Sequence, residues 1–511
     1  MTIGERINYL ANGLAAHLGK KAIVYVSLVA ALGFLITWRL AQTRPFWFDE
    51  LFTLRIACAE TVGEMWSILS SGKEPHPPLS YLAVRATTAL FGQTEWAARL
   101  PAMVGFWILC LCLYGFAAQR VSAPFAWLAF LLPIAADAFR FAVEARAYGQ
   151  VMGLCGLSLI SWQGACQRST HRLGWLIGLA VSLAAAISSH FYAVTMVGPL
   201  LLGELVRTIE RRRIDVPIWL ALGAGLIPLA LFFPTIQRAQ TVLQHGFFSK
   251  AGLADIPPFY VSLVGMGTLA FIGMVMIVAF LPRFEEQTDG CSDPRSNPRI
   301  PWHELAAASG FLLLPPIAIG LVRLGIGVFG ARYLIFTIAG LSLLVAFTAS
   351  RLVNGSALAG LALVSVLVLV CGGRVYLLNR DFRGERDWVQ FAVASLKERQ
   401  ARTDLPFVFS NPISYLQMTQ YAPPDVRKRM TYLVDPEKSM QYLGYNTCDK
   451  AMSVLKEWVA PETDDYDSFR SSHSRFIMLG NEFWLPSALL DDKATLRMMK
   501  NREFLVELPT K

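Results

Sequence analysis

The chain has 511 residues, of which 54% are hydrophobic and only 16% charged; an ordinary soluble domain carries about 25% charged residues, so the composition selects a polytopic membrane protein. The net charge of +9 does not point to nucleic acid, because no basic module interleaved with aromatics is present and much of the excess lies in short loops between apolar stretches, where it reads as a topology signal. The eight cysteines are scattered, with neither a disulfide framework nor a metal-ligand spacing, and Cys110, Cys112, Cys155, Cys166 and Cys371 lie in or beside apolar runs.

The first apolar run, "KAIVYVSLVAALGFLIT" from Lys21 to Thr37, is preceded by Arg6, Lys20 and Lys21 and is followed by no small-residue cleavage site. It is expected to be an uncleaved transmembrane helix with its N-terminus in the cytoplasm. Further spans are expected at 100–118, 123–139, 147–163, 173–188, 191–206, 216–233, 258–281, 305–322, 332–350 and 356–376, each near the ~20 residues that cross ~30 Å of hydrocarbon. With the first helix that makes about eleven. The stretch "PPLSYLAVRATTALFG", Pro77 to Gly92, is short, opens on two prolines and has Arg85 in its middle. Leaving it out of the count puts Arg120, Arg168, Arg172, Arg207, Arg211, Arg212, Arg213, Arg283, Arg295, Arg299 and Arg351 on the cytoplasmic side. The positive-inside rule therefore makes it an amphipathic helix on the outer face. The same parity makes the loops at 40–99, 137–148, 188–191, 234–257 and 323–332 external, together with the C-terminus.

The low-complexity stretch "EEQTDGCSDPRSNPRIP" reads as a cytoplasmic loop. From Asn379 the composition turns polar, and short strand-like runs, "LPFVFS" (405–410) and "RFIMLG" (475–480), alternate with helix-like ones such as "RDWVQFAVASLKERQ" (386–400). That rhythm predicts an α/β domain. The expected architecture is an α-helical polytopic module at 1–378, with external juxtamembrane helices in its first loop, followed by an external α/β domain at 379–511.

Ionisable residues gather at the expected external ends of the spans: Asp49 and Glu50 after the first helix, Glu74 and His76 in "KEPHPPLSYL", Asp137, Arg140, Glu144, Arg146 and Tyr148 in "DAFRFAVEARAYGQ", His190 in "SSHFYAV", and Arg332 and Tyr333 in "FGARYLIF". A charge at the bilayer centre costs at least ~2.5 kcal/mol, less near the interface, so one shared aqueous cavity is an economical explanation. Each residue also has a structural reading. Asp49 suits the N-cap of a helix starting near Glu50. Glu144 and Arg146 suit an ion pair, His76 a proline-rich turn, His190 a helix end, Arg332 a snorkelling anchor and Tyr333 an aromatic belt.

Four stretches, taken in order, resemble the GT-C superfamily of polytopic glycosyltransferases, in the branch of the protein O-mannosyltransferases and the lipid A aminoarabinose transferase. They are "FWFDELFT", "HPPLSYLAVRATTALFGQTEWAARLPA", "VEARAYGQVMGL", and "SSHFYAV" followed later by "ARYLIFTIAGLSLLVA". The second is the most specific. The resemblance covers about residues 40–350.

It implies a membrane glycosyltransferase in the bacterial inner (plasma) membrane, moving a hexose or pentose from a polyprenyl-phosphate donor to an external glycan, glycolipid or protein acceptor, with inversion. It also implies roles. Asp49 matches the base that deprotonates the acceptor, with Glu50 orienting it; His76, Glu144, Arg146, Tyr148, His190, Arg332 and Tyr333 bind the donor phosphate or sugar; Glu74 and Asp137 support. His76 stands where relatives have a lysine, and the carboxylate of Glu74 is shifted in register. A divalent metal is left open, since ligand types alone do not establish one. The alternative from another class is a transporter or lipid flippase, against which stand the absence of an internal repeat and the collection of charges at one face.

Overall fold

The computed structural model describes residues 2–71, 74, 76–167, 170–243, 252–278, 300–323, 330–454, 456–459, 462–499 and 502–509. The expected cytoplasmic loop at 285–301 and the arginines Arg168, Arg283, Arg295 and Arg299 therefore lie outside, or almost wholly outside, the described residues. The chain divides into two compact units. One comprises Met1–Ala41, Arg99–Leu231 and Lys250–Arg380; the other comprises Gln42–Ala98, Phe232–Ser249 and Asp381–Lys511.

The first unit is helical. Across the described residues of the chain, six helices are long and apolar enough to cross a membrane, or nine when each sharply bent pair counts as one span. The polytopic helical class read from the sequence is thus present, and three of the expected straight spans are bent. Ala123–Ala135 and Asp137–Val143 meet at 67°, Val216–Leu231 and Phe233–Gln240 at 54°, and Leu253–Val264 and Met266–Ile277 at 94°. The last bend turns at Gly265, whose φ of +76° favours glycine, and a Cβ there would lie 3.0 Å from the Asp137 carboxylate. Hydropathy averages over such a break and cannot see it. Two further differences concern helix ends. An unexpected helix, Ile3–Lys20, precedes the first span, closed at its start by Thr2 and Glu5 in a capping box. The last apolar run is one helix of 44 residues, Ala357–Gln400, so "RDWVQFAVASLKERQ" is its continuation rather than a separate element.

Charges buried in this unit are matched. Glu304, 1% exposed, receives two hydrogen bonds from Arg120, at 2.8 and 2.6 Å, and one from Gln163 at 3.2 Å. Glu204, fully buried, accepts from Arg207 at 2.7 Å and from Trp162 at 3.2 Å. Asp215 gathers Arg172, Arg207 and Arg211. Arginines that count towards topology in the sequence also hold helices together here.

The second unit contains the α/β domain. Its strands are β1 (Phe407–Phe409), β2 (Met430–Val434), β3 (Thr463–Asp465), β4 (Arg475–Leu479), β5 (Thr495–Met498) and β6 (Glu503–Glu507). They form one sheet in the order β3-β2-β1-β4-β6-β5. The four strands from β3 to β4 are parallel, and β6 and β5 add antiparallel edges. The turn from strand to helix repeats one device. After β1, Asn411 caps Ile413 and Ser414; after β2, Asp435 caps Glu437 and Lys438; at the end of β3, Asp465 caps Asp467 and Ser468. Proline follows the first two caps at the position where a missing N–H costs nothing. Val408, Leu433, Phe476, Met478, Trp484 and Leu485 fill the core.

Within that core Asp449 is fully buried, accepting from Tyr432 and Trp484, each at 3.0 Å. Burial pushes its carboxyl up to about 6, against the pull of those hydrogen bonds. The native state then keeps a proton that the unfolded chain releases near pH ~4, so this group's contribution to stability falls as pH rises from about 4 to 6 and stays at its lower value above. Asp449→Asn keeps an acceptor for both donors and removes the charge. It is expected to stabilise the domain at pH 7.5 by on the order of 2 kcal/mol and to flatten that part of the pH dependence, read by hydrogen exchange on the sheet strands; an unaltered slope would contradict it.

Candidate active site

In the second unit, the helix Phe48–Ala57 begins at Trp47, and Glu50 reaches back from its first turn to accept the Trp47 N–H at 3.3 Å. Capping thus belongs to Glu50, fully buried, and not to Asp49, which the sequence offered for it. Asp49 sits half-buried in the same first turn. The C-terminal end of the helix is closed by Arg85, which donates to the carbonyls of Ala57, Ala59 and Glu60 at 2.9, 2.6 and 3.3 Å. The arginine in the middle of the amphipathic helix Leu79–Phe91 is therefore a cap for its neighbour. Burial pushes the Cys448 thiol up to about 12, and the carboxylates of Asp449 and Asp49 add to the effect, so Asp49 lies within electrostatic reach of the helix Thr447–Val454.

Glu74 and His76 form a pair. The His76 ring nitrogen Nδ1 is hydrogen-bonded to the Glu74 carboxylate, which also accepts from the Tyr81 hydroxyl at 2.9 Å. Glu74 is 8% exposed. A carboxylate in that position orients an imidazole. Among the described residues no group of three His, Cys, Asp or Glu side chains is placed to hold a metal ion.

The first unit holds the other candidates. His190 ends the helix Arg172–Ser189 and its Nδ1 accepts the N–H of Tyr192 at 3.2 Å, opening the 3-10 turn Phe191–Met196. Three tyrosine rings surround it, Tyr148 at 5.6 Å, Tyr333 at 5.3 Å and Tyr192 at 5.9 Å between centroids. Tyr192 and Tyr333 themselves lie 4.9 Å apart. Such a set of rings fits a sugar face. Tyr192 was missed from the sequence although it stands in the quoted "SSHFYAV"; its spacing of two from a histidine that ends a helix was the available signal.

Arg146 occupies the N-cap position of the 20-residue helix Ala147–Cys166. The N-terminal end of a helix favours an anion. Glu144 pairs with Arg140 at 3.8 Å, four residues back along the chain. Asp137 pairs with Arg374 at 2.7 Å. Arg332 and Tyr333 belong to the 3-10 turn Ala331–Leu334 and are half-buried.

Residues 75–237 match the model of the dolichyl-phosphate-mannose-protein mannosyltransferase family. The structure is similar to that of ArnT from Cupriavidus metallidurans bound to undecaprenyl phosphate, with 14% identity, a TM-score of 0.56 and coverage of 95% of this chain and 97% of that one. ArnT in the apo state gives 15%, 0.57, 95% and 98%. The chain shares the fold of ArnT over nearly the full length of both chains. Archaeal oligosaccharyltransferase AglB from Archaeoglobus fulgidus is a more distant likeness, at 10% identity and a TM-score of 0.39 over 90% of this chain and 70% of that one. A search of curated proteins finds no match. The segment matched by the family takes in His76, Glu144, Arg146, Tyr148 and His190, whereas Asp49 and Glu50 precede it and Arg332 and Tyr333 follow it.

A Cβ on Gly330 would come within 2.8 Å of the Tyr333 ring. Gly330→Ala is therefore expected to push Tyr333 off His190 and to lower thermal stability by about 1–3 kcal/mol, measured by melting of the detergent-solubilised protein. An unchanged melt would show that the ring has room to move.

Proposed function

We propose that the protein is a membrane glycosyltransferase that moves a sugar from a polyprenyl-phosphate donor to an acceptor hydroxyl by one displacement, with inversion. The observation that carries this is the GT-C fold, shared over nearly the full length of both chains with a protein whose structure holds undecaprenyl phosphate.

The roles follow from the chemistry. Asp49 takes the proton from the acceptor hydroxyl as its oxygen bonds to the anomeric carbon, and the bond from that carbon to the phosphate oxygen breaks with its electron pair on the polyprenyl phosphate. A phosphate is a good leaving group and needs no strong acid, so the base is the group with most to contribute, roughly 10²- to 10⁴-fold. Glu50 holds the first turn that carries Asp49. Arg146, Arg332 and His76, the last oriented by Glu74, are each a hydrogen-bond donor suited to charge gathering on a departing phosphate. The tyrosines around His190 suit the sugar and the first isoprene units, with Glu144 and Asp137 keeping Arg140 and Arg374 in place. On the positive-inside reading the N-terminus is cytoplasmic and the domain from Asn379 onward faces the outside of a bacterial inner membrane, where the acceptor is a glycan, a glycolipid or a protein.

A second reading, a transporter or flippase, draws on the three bent helix pairs, since broken helices are common in transporters. Mass spectrometry of glycans and glycolipids from cells with and without the protein separates the two. A sugar missing from a defined product supports transfer; an intact product with a mislocated lipid supports transport. Returning Asp49→Asn to the deficient cells is expected to leave product formation at least ~100-fold below wild type, and near wild-type product would remove Asp49 as the base.

A further inference from the structure

We infer that the C-terminal α/β domain is part of the catalytic scaffold: Tyr421 and Gln417, on one face of its first helix, are positioning residues that fix the backbone leading into Asp49. The inference rests on the role proposed for Asp49.

The segment 44–47 joins the helix Ala22–Thr43 to the helix Phe48–Ala57, and a free linker of that length would let the first turn swing. It is not free. The Phe46 N–H donates to the Tyr421 hydroxyl at 2.7 Å, and the Phe46 carbonyl accepts from the Gln417 amide at 2.8 Å. Gln417 and Tyr421 are four residues apart in the helix Pro412–Tyr421, so they rise from one face. Both polar groups of a single peptide residue are thereby held, three positions before Asp49, with the Phe46 ring itself 1% exposed.

Tyr421 is held in turn. Its hydroxyl donates to the Glu95 carboxylate at 3.1 Å, and Glu95 also pairs with Arg386 at 3.2 Å. Arg386 donates to the last carbonyls of the preceding helix, Gln42 at 2.7 Å and Thr43 at 2.5 Å. Arg44, 2% exposed, lies 3.5 Å from Glu385 and over the Phe382 ring. Beyond Asp49, Arg55 donates to Thr419 at 2.7 Å, again from the helix that carries Gln417 and Tyr421. Each polar group satisfied in this chain polarises the next. The acidic pair is thus gripped on both sides by one helix of the α/β domain.

A base must hold its place to a fraction of an ångström, and a misplacement near 1 Å costs about 10²-fold. The test uses the full-length protein. Tyr421→Phe keeps the ring and removes the acceptor; Gln417→Ala removes the donor. Each is returned to deficient cells and compared there with Asp49→Asn for the rate of product formation, and each is purified for binding of undecaprenyl phosphate and for hydrogen exchange of residues 44–50. Trp458→Phe is the control, since it removes another hydrogen bond between the domain and the loop, Trp458 to Glu64 at 3.0 Å, well away in sequence from Asp49.

Tyr421→Phe and Gln417→Ala are expected to slow product formation about 10- to 100-fold while undecaprenyl phosphate binding stays within about twofold. Exchange of residues 44–50 is expected to quicken about tenfold in both, and Trp458→Phe to match wild type throughout. Wild-type rates in Tyr421→Phe and Gln417→Ala, with Asp49→Asn inactive, would overturn the positioning inference and leave the proposed function standing. An active Asp49→Asn would overturn the role of Asp49 itself, and the inference with it.

Discussion

A charge taken out of water must find its partner within the fold, and this one requirement organises most of the molecule. A buried carboxylate left alone costs several kcal/mol, and the cost is contained only when hydrogen bonds occupy its lone pairs. Glu304 receives three such bonds, from Arg120 in the turn after the helix Glu95–Ala118 and from Gln163 of the helix Ala147–Cys166, and Glu204 receives two, from Arg207 of its own helix and from Trp162 of the helix Ala147–Cys166. In an apolar bundle, where hydrophobic packing distinguishes poorly between helix faces, these few polar contacts are what select register.

The same requirement shapes the loop that carries the acidic pair. Its helix is ten residues long, too short to be stable alone in water, and it survives because both ends are closed from within the fold, by Glu50 at the start and by Arg85 at the end. Glu50 is spent on the backbone. Asp49, one residue earlier in the same turn, keeps its half-exposed position. Two adjacent carboxylates thus acquire different environments without any difference in their own chemistry.

Much of this was legible in the sequence. The apolar runs marked helices, although against about eleven expected spans the described residues hold six helices long and apolar enough to cross a membrane, or nine with the bent pairs; Pro77 to Gly92 was read as a short amphipathic helix where Leu79–Phe91 is found, and the strand-like runs at 405–410 and 475–480 are β1 and β4. What escaped has common physical causes. Hydropathy windows average over the bend at Gly265 and stop where polarity begins, so they lose the continuation of Ala357–Gln400. Contacts such as that of Phe46 with Tyr421 join residues 375 apart, and no local pattern encodes them.

The arginines illustrate why one residue can answer to two constraints. Counted along the chain, Arg120, Arg172, Arg207 and Arg211 are a topology signal, which depends on positive charge near the ends of spans and hardly on acidic neighbours. In the folded unit those four arginines are bound to Glu304, Glu204 and Asp215. The two uses do not compete, because insertion precedes packing: the cation is retained on its side of the membrane while the helices are still separate, and its acid is found afterwards. A substitution that spared the charge but not the fork geometry, Arg to Lys, would leave the first use intact and weaken the second.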